Sequence, residues 1–341
     1  MGAPSEGTPP SKPNSSPLVI ALGDPAGIGP EVVLKALAKP ELAGTPVMVV
    51  GCRRWLEQTH RLLRPLSEEP LADPADLVVE DVPLEETVTT GMGSAASGAA
   101  SFAWLSRACG LVQAGAGRAL VTGPIAKAAW HAAGHRYPGQ TERLAELCGV
   151  AQASMLFTAR PPRGPWRFNT LLATTHIPLA EVPAALDADL VSLQLERLLG
   201  FCQRFQPRPR LVVAGLNPHA GESGALGKEE QRWLEPCLRS WQARHPEVHL
   251  EGPLPPDTCW LEAAEAWQEE QMGPDGFLAL YHDQGLIPVK LLAFERAVNT
   301  TLGLPFLRTS PDHGTAFGIA GRGLARSTSM VAALETAWEL G

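Results

Sequence analysis

Cysteine is sparse and scattered: six residues (Cys52, Cys109, Cys148, Cys202, Cys237 and Cys259) in 341, none in a CxxC pair. That spacing offers no zinc knuckle and no disulfide framework, so reduced thiols in a cytoplasmic protein are expected. Positive charge is also short, with 28 Lys and Arg against 36 Asp and Glu and a net charge of -8. Broad binding to nucleic acid or to an anionic membrane needs a positive field, which this chain lacks. No apolar run reaches the roughly 18–20 residues of a membrane span. Residues 1–16 (MGAPSEGTPPSKPNSS) carry no apolar core, so they read as a solvated, disordered tail and not as a secretory leader. Neither the dinucleotide fingerprint GxGxxG nor the P-loop pattern GxxxxGKS/T occurs.

What is present describes a globular chain. A length of 341 residues with 45% hydrophobic and 19% charged residues suffices for two subdomains and a sizeable core. Strand-like apolar runs at 18–22, 46–50, 119–122, 211–214 and 277–280 alternate with helical patterns at 30–37, 53–63, 95–112, 125–133 and 329–340. Further apolar runs lie at 154–158 and 168–173, while 66–92, rich in Pro, Asp and Glu, resists assignment. Val191, Leu195, Leu198, Cys202 and Phe205 fall at steps of 4, 3, 4 and 3, which puts one stripe of a helix against a core. Alternating strands and helices predict parallel βαβ units and an α/β fold. No linker splits the chain, so 17–341 is expected to form one unit.

Three histidines follow strand-like runs: His176 after 168–175, His219 after 211–216 and the Asn217-Pro218 pair, and His282 after 277–281. In open α/β sheets ligands bind beyond the carboxyl ends of strands. Either each ring bonds to nearby backbone, or the three converge on a divalent cation such as Zn²⁺, Co²⁺ or Mn²⁺, which neutral imidazole ligates. Two Gly/Pro turns join strand to helix, Gly23-Asp24-Pro25-Ala26-Gly27-Ile28-Gly29-Pro30-Glu31 and Thr122-Gly123-Pro124. They serve either close packing or an anion at the helix start. Between residues 285 and 326 five cations (Lys290, Arg296, Arg308, Arg322, Arg326) face two carboxylates (Glu295, Asp312), a local positive patch suited to a small anionic ligand. Arg308, with Asn299 before it, suits a phosphate fork. Lys290 lies among Ile287, Val289, Leu291 and Leu292, which predicts partial burial.

Both Gly/Pro turns, Leu216-Asn217-Pro218-His219-Ala220-Gly221-Glu222, Gly252-Pro253-Leu254-Pro255-Pro256-Asp257-Thr258, Tyr281-His282-Asp283-Gln284-Gly285 and the stretch from Asn299 to Gly314 resemble the 4-hydroxythreonine-4-phosphate dehydrogenase family. The resemblance implies the fold of isocitrate and isopropylmalate dehydrogenases: two interleaved α/β/α subdomains around a cleft, in a homodimer whose partner completes the site. It also implies NAD- and metal-dependent oxidation of 4-phosphohydroxy-L-threonine to a β-keto acid. That acid decarboxylates to 3-amino-2-oxopropyl phosphate, on the way to pyridoxal 5'-phosphate.

The implied metal ligands (Zn, Mg, Co or Mn) are His176, His219 and His282, the last from the other subunit. Substrate contacts fall on Gln140, Thr141, Lys290, Asn299 and Arg308, and NAD contacts on His313, Gly314, Thr315, Ala320 and Gly321. Asp257 and Lys290 are the candidate bases. Gln140 departs from the family's Gly-His-Thr pattern; it can position substrate but cannot carry a proton charge. A dehydrogenase of 4-phospho-erythronate or 4-phospho-threonate would share these motifs. A three-histidine hydrolase and a non-catalytic metabolite-binding protein are the alternatives of another class.

Overall fold

The computed structural model describes residues 16–269 and 271–341, so positions 1–15 of the expected tail lie outside the described residues. The strands are β1 (Leu18–Ala21), β2 (Val47–Gly51), β3 (Val79–Asp81), β4 (Ala119–Thr122), β5 (Ser154–Ala159) and β6 (Phe168–Leu172). They continue with β7 (Arg210–Ala214), β8 (His249–Leu254), β9 (Gly276–Ala279), β10 (Val298–Leu302) and β11 (Leu307–Pro311). All join one sheet in the order β3-β2-β1-β4-β11-β10-β5-β6-β9-β7-β8. The first five strands of that order are parallel, as are the last four. Antiparallel pairings of β10 with β11 and β5, and of β5 with β6, join the two blocks and make them run in opposite senses. The α/β expectation is met.

Every residue of β1 (LVIA), β4 (ALVT) and β9 (GFLA) is buried, as expected of parallel strands covered on both faces. The helices are α1 (Gly29–Leu37), α2 (Arg53–Leu63), α3 (Ala95–Gln113), α4 (Lys127–Ala132), α5 (Gln140–Leu147) and α6 (Val182–Ala185). Then come α7 (Ala188–Cys202), α8 (Glu235–Arg244), α9 (Leu261–Glu269), α10 (His282–Ala293) and α11 (Thr328–Leu340). Helix α7 starts where the Asp187 carboxylate accepts the Leu190 N–H at 2.8 Å, an N-cap that satisfies an orphan donor. It buries Val191, Leu195, Leu198 and Cys202 as the stripe predicts. The helix ends at Cys202, however, and Phe205 lies beyond it, 38% exposed. Among the described residues no helix is long and apolar enough to cross a membrane, and all six cysteines are free thiols.

The Gly/Pro turn after β1 is a packing device. Gly23 has φ +79°, and a Cβ there would come within 2.4 Å of the Pro124 carbonyl oxygen. Gly27 and Gly29 meet the Thr315 and Leu22 carbonyl oxygens at 2.8 and 2.2 Å in the same way. Gly23→Ala is expected to cost about 2–4 kcal/mol, from a disfavoured φ plus overpacking. Urea unfolding checks this, and a midpoint equal to wild type would contradict the close approach.

Candidate active site

Where β4 ends, Thr122 and the Gly123-Pro124 turn open a cavity of about 360 Å³. Its walls include the start of α5, the β10 residue Asn299, Arg308 and Ser310 of β11, and the loop Asp312 to Gly314. Register explains the grouping. Asn299 pairs with Ser310 and Thr301 with Arg308, so these side chains share one face of the sheet.

Arg308 is 3% exposed. Its guanidinium donates to the Thr122 hydroxyl through Nε (3.1 Å) and Nη2 (2.7 Å), and to the Thr301 hydroxyl through Nη1 (3.1 Å). Nη2 also donates to Gln140 Oε1 (3.2 Å). All these acceptors are neutral, and among the described residues no carboxylate forms an ion pair with Arg308. Burial pushes its pKa down to about 10, against a smaller pull upward from Glu142, so the group stays charged at neutral pH. A buried cation without a counterion is costly unless an anion joins it.

Gln140 uses both ends of its amide: Oε1 holds Arg308 and Nε2 donates to the Gly123 carbonyl at 3.0 Å. These two bonds tie Arg308 to the Gly123 turn. Thr141 follows it in the first turn of α5 and lines the cavity; the free N–H groups of a helix start favour an anion.

Besides Asp312 Oδ2, which the Lys290 ammonium contacts, two buried polar atoms of the cavity-lining residues have no hydrogen-bond partner, Asn299 Oδ1 and His313 Nε2. His313 Nδ1 lies 3.1 Å from the Gly314 carbonyl, which assigns the proton to Nδ1 and leaves Nε2 as an acceptor. Burial holds the His313 pKa below the usual imidazole value, so the neutral ring prevails at pH 7. Asp312 and His313 also line an adjoining cavity of about 260 Å³, with Ile28, Ala316, Ile319 and Leu324 among its walls. Thr315 ties this loop to the first Gly/Pro turn by accepting the Ile28 N–H at 2.9 Å. Ala320 and Gly321 line neither cavity. Gly321, at φ +73°, lies against Thr90 and Leu62 and shapes the loop.

Neither candidate base is among the residues that line the Arg308 cavity. The Lys290 ammonium contacts the carboxylate of Asp312, which lines the cavity, and burial lowers its pKa. Asp257 lines a third cavity of about 530 Å³, beside Trp260, Tyr281 and Asp283. Lys127, at the start of α4, also lines the main cavity, and no motif marks it. Its one sequence signal is its place three residues after the Gly123-Pro124 turn.

Strands β6, β7 and β9 belong to the same parallel block, so His176, His219 and His282 follow strands that end on the same side. His176 lines the main cavity, and its ring centroid is 5.5 Å from that of His282. Burial first, then His282 and Lys127, lowers the His176 pKa, which favours the neutral, ligating form. His282 Nδ1 lies 2.8 Å from Asp283 Oδ1; a carboxylate at one ring nitrogen orients the other toward a metal. The resemblance assigns His282 to the other subunit, yet its ring already stands beside His176 in this chain. His219 is exposed on a turn of successive positive φ values (His219 52°, Ala220 52°, Gly221 83°, Glu222 42°, Ser223 55°). Four of these are not glycine, at about 1–2 kcal/mol each in the left-handed region. Among the described residues of one chain no group of three or more His, Cys, Asp or Glu side chains is gathered for a metal. Two of the three imidazoles are brought together, and the donor set suits a borderline divalent ion.

Residues 43–337 match the model of the family described as pyridoxal phosphate biosynthetic protein PdxA. The chain is 65% identical, over 95% of its length and 99% of the relative's, to a 4-hydroxythreonine-4-phosphate dehydrogenase from Synechococcus sp. (strain RCC307). It is 39% identical, over 95% of its length and 98% of the relative's, to a D-threonate 4-phosphate dehydrogenase from Pectobacterium atrosepticum. The crystal structure of a 4-hydroxythreonine-4-phosphate dehydrogenase from Klebsiella pneumoniae superposes with TM-score 0.81 at 38% identity, covering 97% of this chain and 99% of that one.

Proposed function

The chain belongs to the PdxA family of pyridoxal phosphate biosynthetic proteins, and from that premise we propose that it is an NAD- and metal-dependent 4-hydroxythreonine-4-phosphate dehydrogenase. The proposed reaction oxidises the secondary alcohol of 4-phosphohydroxy-L-threonine. The resulting 2-amino-3-oxo-4-(phosphooxy)butanoate loses CO₂ to give 3-amino-2-oxopropyl phosphate. One observation carries the reading: the buried Arg308 guanidinium, held by neutral oxygens, waits for an anion at the wall of a cavity of substrate size.

In this scheme Arg308 takes the phosphate ester with help from the α5 start and Thr141, while Gln140 keeps the guanidinium aimed. Asn299 Oδ1 and His313 Nε2, both unpartnered acceptors, receive N–H or O–H groups of substrate or cofactor. The loop His313 to Thr315, shaped by Ala320 and Gly321, would hold NAD, with the adjoining cavity beside Ala316 and Leu324 supporting its adenosine end. His176, His219 and His282 would hold the divalent ion. When bound, NAD accepts the hydride and the ion acts as a Lewis acid on the alcohol oxygen. Lys290, its pKa lowered by burial, or Asp257 receives the hydroxyl proton.

The partner reading is a homodimer with a shared site. Helix α10, which starts at His282, exposes Ile287 (58%) and Leu291 (79%), Phe294 just past its end exposes 67%, and Leu261 of α9 exposes 59%. Contiguous exposed apolar side chains of this kind mark an interaction surface, here next to a metal ligand. The cleft is read as lying between the two parallel blocks of the sheet, each the centre of one subdomain. Six free thiols support a cytoplasmic location.

Absorbance of NADH tests the activity: NAD with 4-phosphohydroxy-L-threonine is expected to give turnover that a chelator abolishes and a divalent ion restores. D-threonate 4-phosphate is the discriminating competitor, given the relatives that carry that name. A higher kcat/KM on D-threonate 4-phosphate would replace the substrate assignment, and no NADH from either would remove the dehydrogenase reading.

A further inference from the structure

The turn that carries His219 is built on a buried carboxylate with no part in the scheme above. Glu230 is 1% exposed and begins a π-turn (Glu230–Leu234) that leads into α8; such turns recur at functional sites. Its Oε1 accepts the N–H groups of Leu216 and Asn217 at 2.9 and 2.7 Å. Its Oε2 accepts Asn217 Nδ2 at 2.9 Å, and that amide also donates to Glu229 Oε2 at 2.8 Å. Among the described residues no cation forms an ion pair with Glu230.

These bonds fix the chain at residues 216–217, immediately before it enters the left-handed run from His219 to Ser223. The same carboxylate packs against the middle of the run, because a Cβ at Gly221 would lie 2.8 Å from Glu230 Oε2 and 3.0 Å from the Gly227 carbonyl oxygen. Non-glycine residues keep positive φ only where the surroundings over-determine it. Glu230 thus bonds to the residues that lead into the turn and packs against its centre.

We propose that Glu230 is a positioning residue that holds the strained His219 turn in the shape that presents the imidazole to a divalent cation; this rests on the metal reading of His219 given above. A glutamine at this position keeps one acceptor oxygen and turns an N–H₂ toward groups that themselves donate, so it cannot serve both the backbone pair and the Asn217 amide. The turn then relaxes toward ordinary φ values and His219 moves away from its place.

The test titrates wild type and Glu230→Gln with Co²⁺ alone, followed by its visible absorption, and separately with inorganic phosphate by calorimetry. Glu230→Gln is expected to weaken Co²⁺ binding at least about tenfold, the range for residues that orient metal ligands, and to alter the Co²⁺ spectrum. Phosphate affinity, set at Arg308, is expected to stay within twofold of wild type. Gly221→Ala, which presses on the same carboxylate from the turn, is expected to give the same selective loss. Wild-type Co²⁺ affinity and spectrum in Glu230→Gln would overturn the proposal. Joint loss of Co²⁺ and phosphate binding would also overturn it, making Glu230 a support of the fold alone. A wild-type protein that binds no Co²⁺ would remove the metal reading itself, and the proposal with it.

Discussion

Arg308→Met is expected to lower kcat/KM on the phosphorylated substrate by about two to three orders of magnitude, equivalent to about 3–4 kcal/mol. The size follows from burial. A charge-assisted bond between a guanidinium and a phosphate is stronger than a neutral one, and exclusion of water keeps it from being screened. Because the phosphate is remote from the reacting carbon, part of its binding energy orients the alcohol, and both KM and kcat should suffer. A second readout separates binding from folding. Inorganic phosphate is expected to raise the melting temperature of wild type, as any ligand of the native state does, and to leave that of Arg308→Met unchanged. Steady-state kinetics within threefold of wild type would show that the phosphate rests elsewhere.

The second large effect concerns the metal. His219→Ala is expected to lose Co²⁺ or Zn²⁺ binding and turnover together, with activity reduced more than about a thousandfold, since the Lewis acid serves the chemical step directly. The side chain is exposed, so its removal leaves no cavity and the melting temperature should stay close to that of wild type. Equilibrium dialysis with the metal, run beside the NADH assay, reads both quantities. Retention of one metal ion per chain with full activity would take His219 out of the ligand set, leaving His176 and His282 with other partners.

The legible parts of the chain were those whose residues answer to burial alone. Strands β1, β4 and β9 are short apolar runs because both of their faces are covered, and the α7 stripe follows the helical period up to Cys202. Strands β10 (VNTTL) and β11 (LRTSP) carry no such signal, although both lie inside the sheet. Their side chains are selected to line a polar cavity, and the buried Thr301 and Arg308 satisfy one another. Strand β3 (VED) is a three-residue sheet edge, where charge is tolerated and protects against edge pairing.

The site was legible in its residues more than in its connections. Arg308, Asn299, Thr141 and His176 were named from motifs and do line one cavity. That Gln140 braces Arg308 was not readable, because the bond joins positions 168 residues apart. The left-handed run at His219 was equally hidden, since only glycine announces positive φ in a sequence and four of its five residues are something else. The Gly23 turn shows the converse: its glycines were visible, and the structure assigns them to close packing against Pro124.

The account stands on the buried charge of Arg308, which no carboxylate pairs among the described residues, as the seat of a phosphate ester. Calorimetric titration of the wild-type protein with 4-phosphohydroxy-L-threonine and with its dephosphorylated parent, 4-hydroxy-L-threonine, measures that claim directly. The phosphorylated compound is expected to bind at least about a hundredfold more tightly, the scale of one desolvated charge pair. Equal affinity for the two would contradict it.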